Sequence, residues 1–237
     1  MILKLENVVK NYEKTILKGI SIDIKDKKSI AIIGESGCGK STLLRLLAGI
    51  EFLDEGQIIL NNEVVDKINV RKHQDRIGYV FQNHNLFPHL SLKKNITLIL
   101  SKIKGYDIDK ANNIADELLD RMHLKEQKDK LPKHVSGGQS ARASIARALS
   151  TNPDILLLDE PTAALDPVIT HEVLKAISEL KDLGKDFIFV THEINFMKSF
   201  ADYFIFMNNG NIIEHGDIKN LDTPKSEMLK EFLSKVK

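Results

Sequence analysis

The chain of 237 residues has a single cysteine, Cys38, which excludes any intrachain disulfide and suits a reducing compartment. It also lacks a surplus of charge of either sign: Lys plus Arg is 34, Asp plus Glu is 33, and the net charge is +1. That balance gives no electrostatic ground for a nucleic-acid partner, and no block of like charges is long enough to form a polyanion-binding tail. Long apolar runs are missing too. "ILLL" and "FIFV" fall far short of the roughly 18 residues that a membrane helix needs. The opening "MILKLENVVKNY" has no apolar stretch of signal-peptide length. If membranes matter to this protein, another chain spans them. There is no internal repeat and no low-complexity segment. What remains, 42% apolar and 28% charged residues, reads as an ordinary globular protein of one large domain, or a core with a subdomain.

The pattern changes along the chain. "SIDIKD" alternates apolar and polar residues as a half-buried strand does, and "GQIILNNEVV" and "RIGYVFQ" read as further strands, the first pair turning at Asn61-Asn62. The N-terminal quarter is thus expected to be rich in antiparallel strand. "KSIAII" is a short apolar run feeding into glycines, the mark of a buried parallel strand, and "KSTLLRLLAGI" has helical spacing that stops near Gly49. From about Leu90 to Leu149 the pattern is helical; "ANNIADELLDRMHL" places Ala111, Ile114, Ala115, Leu118, Leu119 and Met122 on one face. After Pro153, the runs "DILLLDE" and "KDFIFVTHE" flank a helix, "VITHEVLKAISELKDLG", an alternation that predicts parallel βαβ units. "DYFIFMNNGNIIEHG" follows. The tail "KSEMLKEFLSKVK" spaces Met228, Leu229, Phe232, Leu233 and Val236 as a docked terminal helix, the lesser alternative being a helix on a membrane surface.

Chemistry enters with "GESGCGKST", comprising Gly34, Glu35, Ser36, Gly37, Cys38, Gly39, Lys40, Ser41 and Thr42. The pattern G-x-x-x-x-G-K-S/T between a predicted strand and a predicted helix is a P-loop. Its glycines let backbone N–H groups turn inward onto phosphate oxygens, and the helix N-terminus adds positive partial charge. Lys40 is expected on the β- and γ-phosphates, and Ser41 on Mg²⁺. In "DILLLDEP" a buried strand ends in Asp159, which can serve the metal; Glu160 beside it is the candidate general base for a water attacking the γ-phosphate, the alternative being an acid that merely closes a surface turn. His192 ends "FIFVTH"; it is either a structural histidine or, on the strand-end rim where parallel sheets bind ligands, part of the site. Gln82, after "IGYVF", is either a plain surface amide or, near a nucleotide, a contact to metal and attacking water, and Tyr12 is either a packing residue or a ring that stacks on a base. Cys38 is read as a tolerated small residue, although the helix dipole is able to lower its pKa. A second Ser-Gly-Gly turn, "VSGGQ", opens another helix with no lysine. Ser136, Gly137, Gly138 and Gln139 there form either an anion-binding N-terminus for a nucleotide held elsewhere, or simply a serine cap with glycines for a tight turn.

In the order Tyr12, "GESGCGKST", Gln82, "VSGGQ", "ILLLDEP", "AALDP", His192, the chain resembles the nucleotide-binding subunits of ATP-binding cassette (ABC) transporters over essentially its whole length. The resemblance implies an α/β P-loop NTPase with a RecA-like core and an antiparallel β-subdomain (about residues 1–88 and 151–237) and an inserted α-helical signature subdomain (about residues 89–150). It implies ATP and Mg²⁺, with Tyr12 on adenine, Gly34 to Thr42 on phosphates, Ser41, Gln82 and Asp159 at the metal, Glu160 as base, and His192 positioning γ-phosphate, water and base. Ser136 to Gln139 would act on the nucleotide of a second cassette, a copy of this chain or a similar one, with Asp166 signalling across the interface and Gln82 linking nucleotide to membrane subunit. The chain is expected to be peripheral on the cytoplasmic face of the cell membrane, with transmembrane permease subunits as partners and, indirectly, a solute-binding protein. The chain departs from the family at Val135, where leucine is commoner, at "SAR" after the signature, and at Cys38, where serine is common. "FQNHNLFPHLSLKKNI", "VTHEINFM" and "FMNNGNIIEHG" resemble the importers of polar amino acids. Other transport ATPases, importing other solutes or exporting, share every catalytic motif. A cassette ATPase of DNA repair or translation would need a coiled-coil insertion or a second cassette, and a P-loop kinase would leave "VSGGQ" and His192 unexplained.

Overall fold

The computed structural model describes residues 1–163 and 165–236; Ala164, in the "AALDP" motif, and the last residue of the tail lie outside the described residues. The chain runs β1 (Leu3–Asn11), β2 (Thr15–Ile24), β3 (Ser29–Gly34), α1 (Lys40–Leu47), β4 (Glu55–Leu60), β5 (Glu63–Val64), α2 (Val70–Gln74) and β6 (Ile77–Val80). The helices α3 (Leu92–Ile103), α4 (Ile108–Arg121) and α5 (Gly137–Leu149) follow, then β7 (Ile155–Asp159) and α6 (Pro167–Ser178). The chain closes with β8 (Asp186–Val190), α7 (Ile194–Phe200), β9 (Tyr203–Asn208), β10 (Asn211–Asp217) and α8 (Glu227–Lys235). These elements divide into two compact units, Met1–Ile77 with the residues from Asp186 onward, and Gly78–Lys185.

In the first unit, β1, β2, β4 and β5 form an antiparallel sheet in the order β2-β1-β4-β5. Asn61 and Asn62 make the expected β4–β5 turn, both with positive φ (48° and 64°), the conformation that asparagine tolerates in tight hairpins. A second set of strands runs β10-β9-β3-β8. Here β3 is parallel to both β8 and β9, and β10 returns antiparallel to β9. All six residues of β3 are buried, which explains its unbroken apolar run: a strand with neighbours on each edge and cover on both faces has no polar side to show. Helix α1 ends as the sequence predicts, with Gly49 left-handed at φ 65°. The tail docks as α8 through Leu229 and Phe232, the latter ring 5.3 Å from Phe206 of β9, whereas Met228 stays exposed.

In the second unit α3, α4 and α5 pack on one another. Ala111, Ala115, Leu119 and Met122 are fully buried, as the helical spacing predicts, with Ile114 and Leu118 at the margin. Strand β7 is wholly buried and neighbours β6. The helix expected to run unbroken to Gly184 is α-helical only to Ser178; residues Glu179–Leu183 tighten into a 3₁₀ turn that stops at Gly184, φ 67°. Such a turn is a common way to satisfy the last carbonyls of a helix.

Asn95 is the polar hub of this unit. It is fully buried; its Oδ1 accepts from Phe87 N at 2.6 Å, and its Nδ2 donates to the carbonyls of Phe87, Leu90 and Ser91 at 3.2, 3.1 and 3.0 Å. It thereby ties α3 to the loop that leaves β6. Asn95→Ala strands a buried N–H and removes the donor for three carbonyls, so stability should fall by about 2–4 kcal/mol. Thermal unfolding without nucleotide measures this, and an unshifted transition would refute it.

Candidate active site

The loop after β3 opens on Gly34 at φ 149°. A Cβ there would meet Met207 O at 2.1 Å and Cys38 Sγ at 2.9 Å, so only glycine lets the chain leave the sheet at this point. The loop is braced from β9–β10, where Gly210 N donates to Cys38 O at 3.2 Å. Helix α1 starts at Lys40 with Gly39 as N-cap, a residue with no side chain to occupy the first amides. Those amides and the helix dipole therefore face whatever anion the loop receives. Lys40 is buried at 4% exposure, and its ammonium donates to the carbonyls of Gly34 and Glu35 at 2.9 and 3.0 Å. The charge is thus held inside the curl of the loop. Thr42 is buried beside it, and its hydroxyl accepts from Arg45 at 3.3 Å. Burial pushes the Cys38 thiol above its ordinary pKa, outweighing the pull of Lys40. The reactive thiolate that the helix dipole alone suggested is therefore not favoured.

His192 lies on the same rim of this unit. Ile32 of β3 pairs with Val190 of β8, so Gly34 and His192 each stand two residues beyond that pair, at the carboxyl ends of adjacent parallel strands. The turn carrying His192 is fixed from behind. Thr191 is buried and its hydroxyl accepts from Glu193 N at 3.0 Å. Phe189 of β8 meets Phe196 and Phe200 of α7 at 5.6 and 5.4 Å between ring centres. Tyr12, just past β1, is half exposed. Its hydroxyl donates to Glu51, and Lys10 sits 5.3 Å from its ring centre.

The second unit supplies the acids. Asp159, 5% exposed at the end of β7, accepts from Tyr79 of β6 at 3.0 Å. That hydroxyl aims the carboxylate, a role missed in the sequence, where Tyr79 stood only as one residue of a strand. Glu160 follows in the left-handed region at φ 45°, a conformation that costs a residue with a side chain about 1–2 kcal/mol. Ala163 N donates to its carbonyl at 3.0 Å, and Gln82 Nε2 donates to its Oε2 at 3.2 Å. Gln82 and Glu160, 78 residues apart, therefore meet.

At the start of α5, Ser136 and Gln139 form a reciprocal capping box: Ser136 Oγ accepts from Gln139 N at 3.2 Å and Gln139 Oε1 from Ser136 N at 3.0 Å. Gly138 has a packing reason, since a Cβ there would lie 2.3 Å from Ile169 Cγ2 of α6. Asp166 caps α6, its carboxylate accepting from Val168 N and Ile169 N, both at 3.0 Å. Residues singled out for binding thus also set the ends and the closeness of α5 and α6.

Among the described residues there is no cluster of three or more His, Cys, Asp or Glu able to hold a metal, and no helix is long and apolar enough to cross a membrane. Residues 17–163 match the ABC transporter family. The arginine transport ATP-binding protein ArtM of Bacillus subtilis is 40% identical over 99% of this chain and 99% of its own. The glutamate/aspartate import ATP-binding protein GltL of Escherichia coli K12 is also 40% identical with the same coverage. Among solved structures, the dimeric ATP-binding cassette MJ0796 bound to ADP and Pi superposes with a TM-score of 0.81 at 31% identity, covering 91% of this chain and 98% of that one.

Proposed function

Because this chain belongs to the ABC transporter family and is an ATPase of that family, we propose that it powers an importer of polar amino acids. It would do so from the cytoplasmic face of the membrane, bound to transmembrane permease subunits. The observation that carries the solute class is the end-to-end similarity to ArtM and GltL. In this reading ATP lies along the P-loop amides, with Tyr12 against adenine. Lys40 transfers its ammonium from the carbonyls of Gly34 and Glu35 to the β- and γ-phosphates. Glu160 takes a proton from the attacking water, Gln82 holds that carboxylate, and His192 orients γ-phosphate and water. The donor set fits Mg²⁺: a hydroxyl (Ser41), an amide (Gln82) and a carboxylate (Asp159) offer hard oxygens, and phosphates and water supply the remainder. Bound there, the ion would neutralise charge on the phosphates.

Two copies work head to tail, each presenting Ser136, Gly137, Gly138 and Gln139 to the nucleotide of the other, with Asp166 beside the interface. The dimeric state of the MJ0796 cassette supports the pairing of two copies. The capping box takes the amides of Ser136 and Gln139, so in this reading the amides of Gly137 and Gly138 would face the partner's nucleotide. Cells whose only copy carries Glu160→Gln should lose uptake of one group of charged or amide amino acids while sugar uptake continues. Unchanged uptake across a panel of polar amino acids would rule the proposal out.

A further inference from the structure

Arg147 has no part in the chemistry above, yet it grips the loop that carries Gln82. It is the eleventh residue of α5, and its two terminal nitrogens donate to the carbonyls of His84 and Asn85 at 2.9 and 2.6 Å. Those two residues are consecutive and both left-handed, at φ 61° and 48°. Side-chain-bearing residues hold that conformation in succession only when something outside the turn over-determines it. The His84 ring is itself enclosed: its Nε2 is buried without a hydrogen-bond partner, and burial pulls the imidazole below its ordinary pKa. The guanidinium lies 5.9 Å from the centre of the Phe87 ring, and burial pulls it below its ordinary pKa. A charge is kept in that setting at a cost which its two hydrogen bonds and the Phe87 ring offset.

We infer that Arg147 is a positioning residue for hydrolysis: through the carbonyls of His84 and Asn85 it sets the placement of Gln82 against Glu160. One rigid helix then bears the Ser136–Gln139 turn at its N-terminal end and the clamp on Gln82 about ten residues on, roughly 15 Å along its axis. A shift of α5 at its glycine end is delivered to the pair Gln82–Glu160 without any moving part in between. The inference rests on the roles proposed for Gln82 and Glu160, and goes beyond them in naming what aims them.

The test is a double-mutant cycle in the full-length chain, with steady-state ATP hydrolysis and nucleotide-binding stoichiometry measured on each variant. Arg147→Ala should lower kcat about 10–100-fold while nucleotide affinity stays within about threefold and stoichiometry is unchanged. Arg147→Lys, which can still donate to one carbonyl, should recover part of the loss. Adding Arg147→Ala to Gln82→Ala should cost little more than Gln82→Ala alone, because both act through one contact. Losses that multiply, or an Arg147→Ala kcat that falls only in step with binding stoichiometry, would mean that Arg147 merely supports the fold, and overturn the inference. If Gln82→Ala hydrolyses ATP at the normal rate, the role given to Gln82 fails first and the inference with it. Should the alanine variant not fold, Arg147→Lys carries the same cycle.

Discussion

Glu160→Gln should bind ATP as tightly as the unaltered chain and hydrolyse it about 10²–10⁴-fold more slowly, the usual share of a general base. The structure makes this substitution unusually clean. Gln82 donates to Glu160 Oε2 at 3.2 Å, and an amide oxygen at that position accepts the same bond, so the side chain stays where it is. The left-handed backbone at φ 45° costs glutamine no less and no more than glutamate. What is lost is the ability to take a proton. Glu160→Ala would remove the hydrogen bond together with the base, and would leave the two effects mixed. Single-turnover hydrolysis with labelled ATP, beside a direct binding measurement, separates chemistry from affinity. Near-normal turnover in Glu160→Gln would take Glu160 out of the role.

How far the site could be read beforehand depended on the sequence distance between partners. The P-loop, the strand ending in Asp159 and the Asn61-Asn62 hairpin each sit within a dozen residues, where spacing and turn chemistry are enough. Tyr79 and Asp159 are 80 residues apart, and Arg147 lies 62 and 63 from the carbonyls it holds. Contacts between a side chain and a distant backbone leave no periodicity to detect. Tyr79 looked like strand filling because it is strand filling as well; its hydroxyl is the only part that reports a second duty. Asn95 lay inside an apolar helical pattern and gave no sign that it would hold four bonds. The early end of α6 was hidden for a different reason: a 3₁₀ turn and an α-helical turn bury nearly the same apolar residues. At "VSGGQ" the two readings were not rivals. The serine and Gln139 serve the cap seen in the chain, which takes their amides; the anion-binding use proposed above would fall to the amides of Gly137 and Gly138.

Lys40→Ala should abolish hydrolysis and weaken ATP binding by about 100-fold or more. Two charge-assisted hydrogen bonds at about 1.5–3 kcal/mol each set that scale. Lys40 is 4% exposed and already inside the loop, on the carbonyls of Gly34 and Glu35. Its transfer to phosphate therefore needs little desolvation, which is why so much of its charge is available for binding. Unchanged affinity and turnover would contradict the P-loop assignment. The same variant tests the head-to-tail pair. Lys40→Ala keeps a sound Ser136 turn, whereas Ser136→Arg keeps a sound P-loop and gives up a helix cap worth about 1 kcal/mol, too little to unfold the chain. Each should be silent alone. In a mixed dimer the good P-loop of one copy faces the good turn of the other, so a random mixture should regain roughly a quarter of normal activity, one whole site in half of the dimers. If each site were complete within a single chain, Ser136→Arg would remain active on its own and mixing would add nothing.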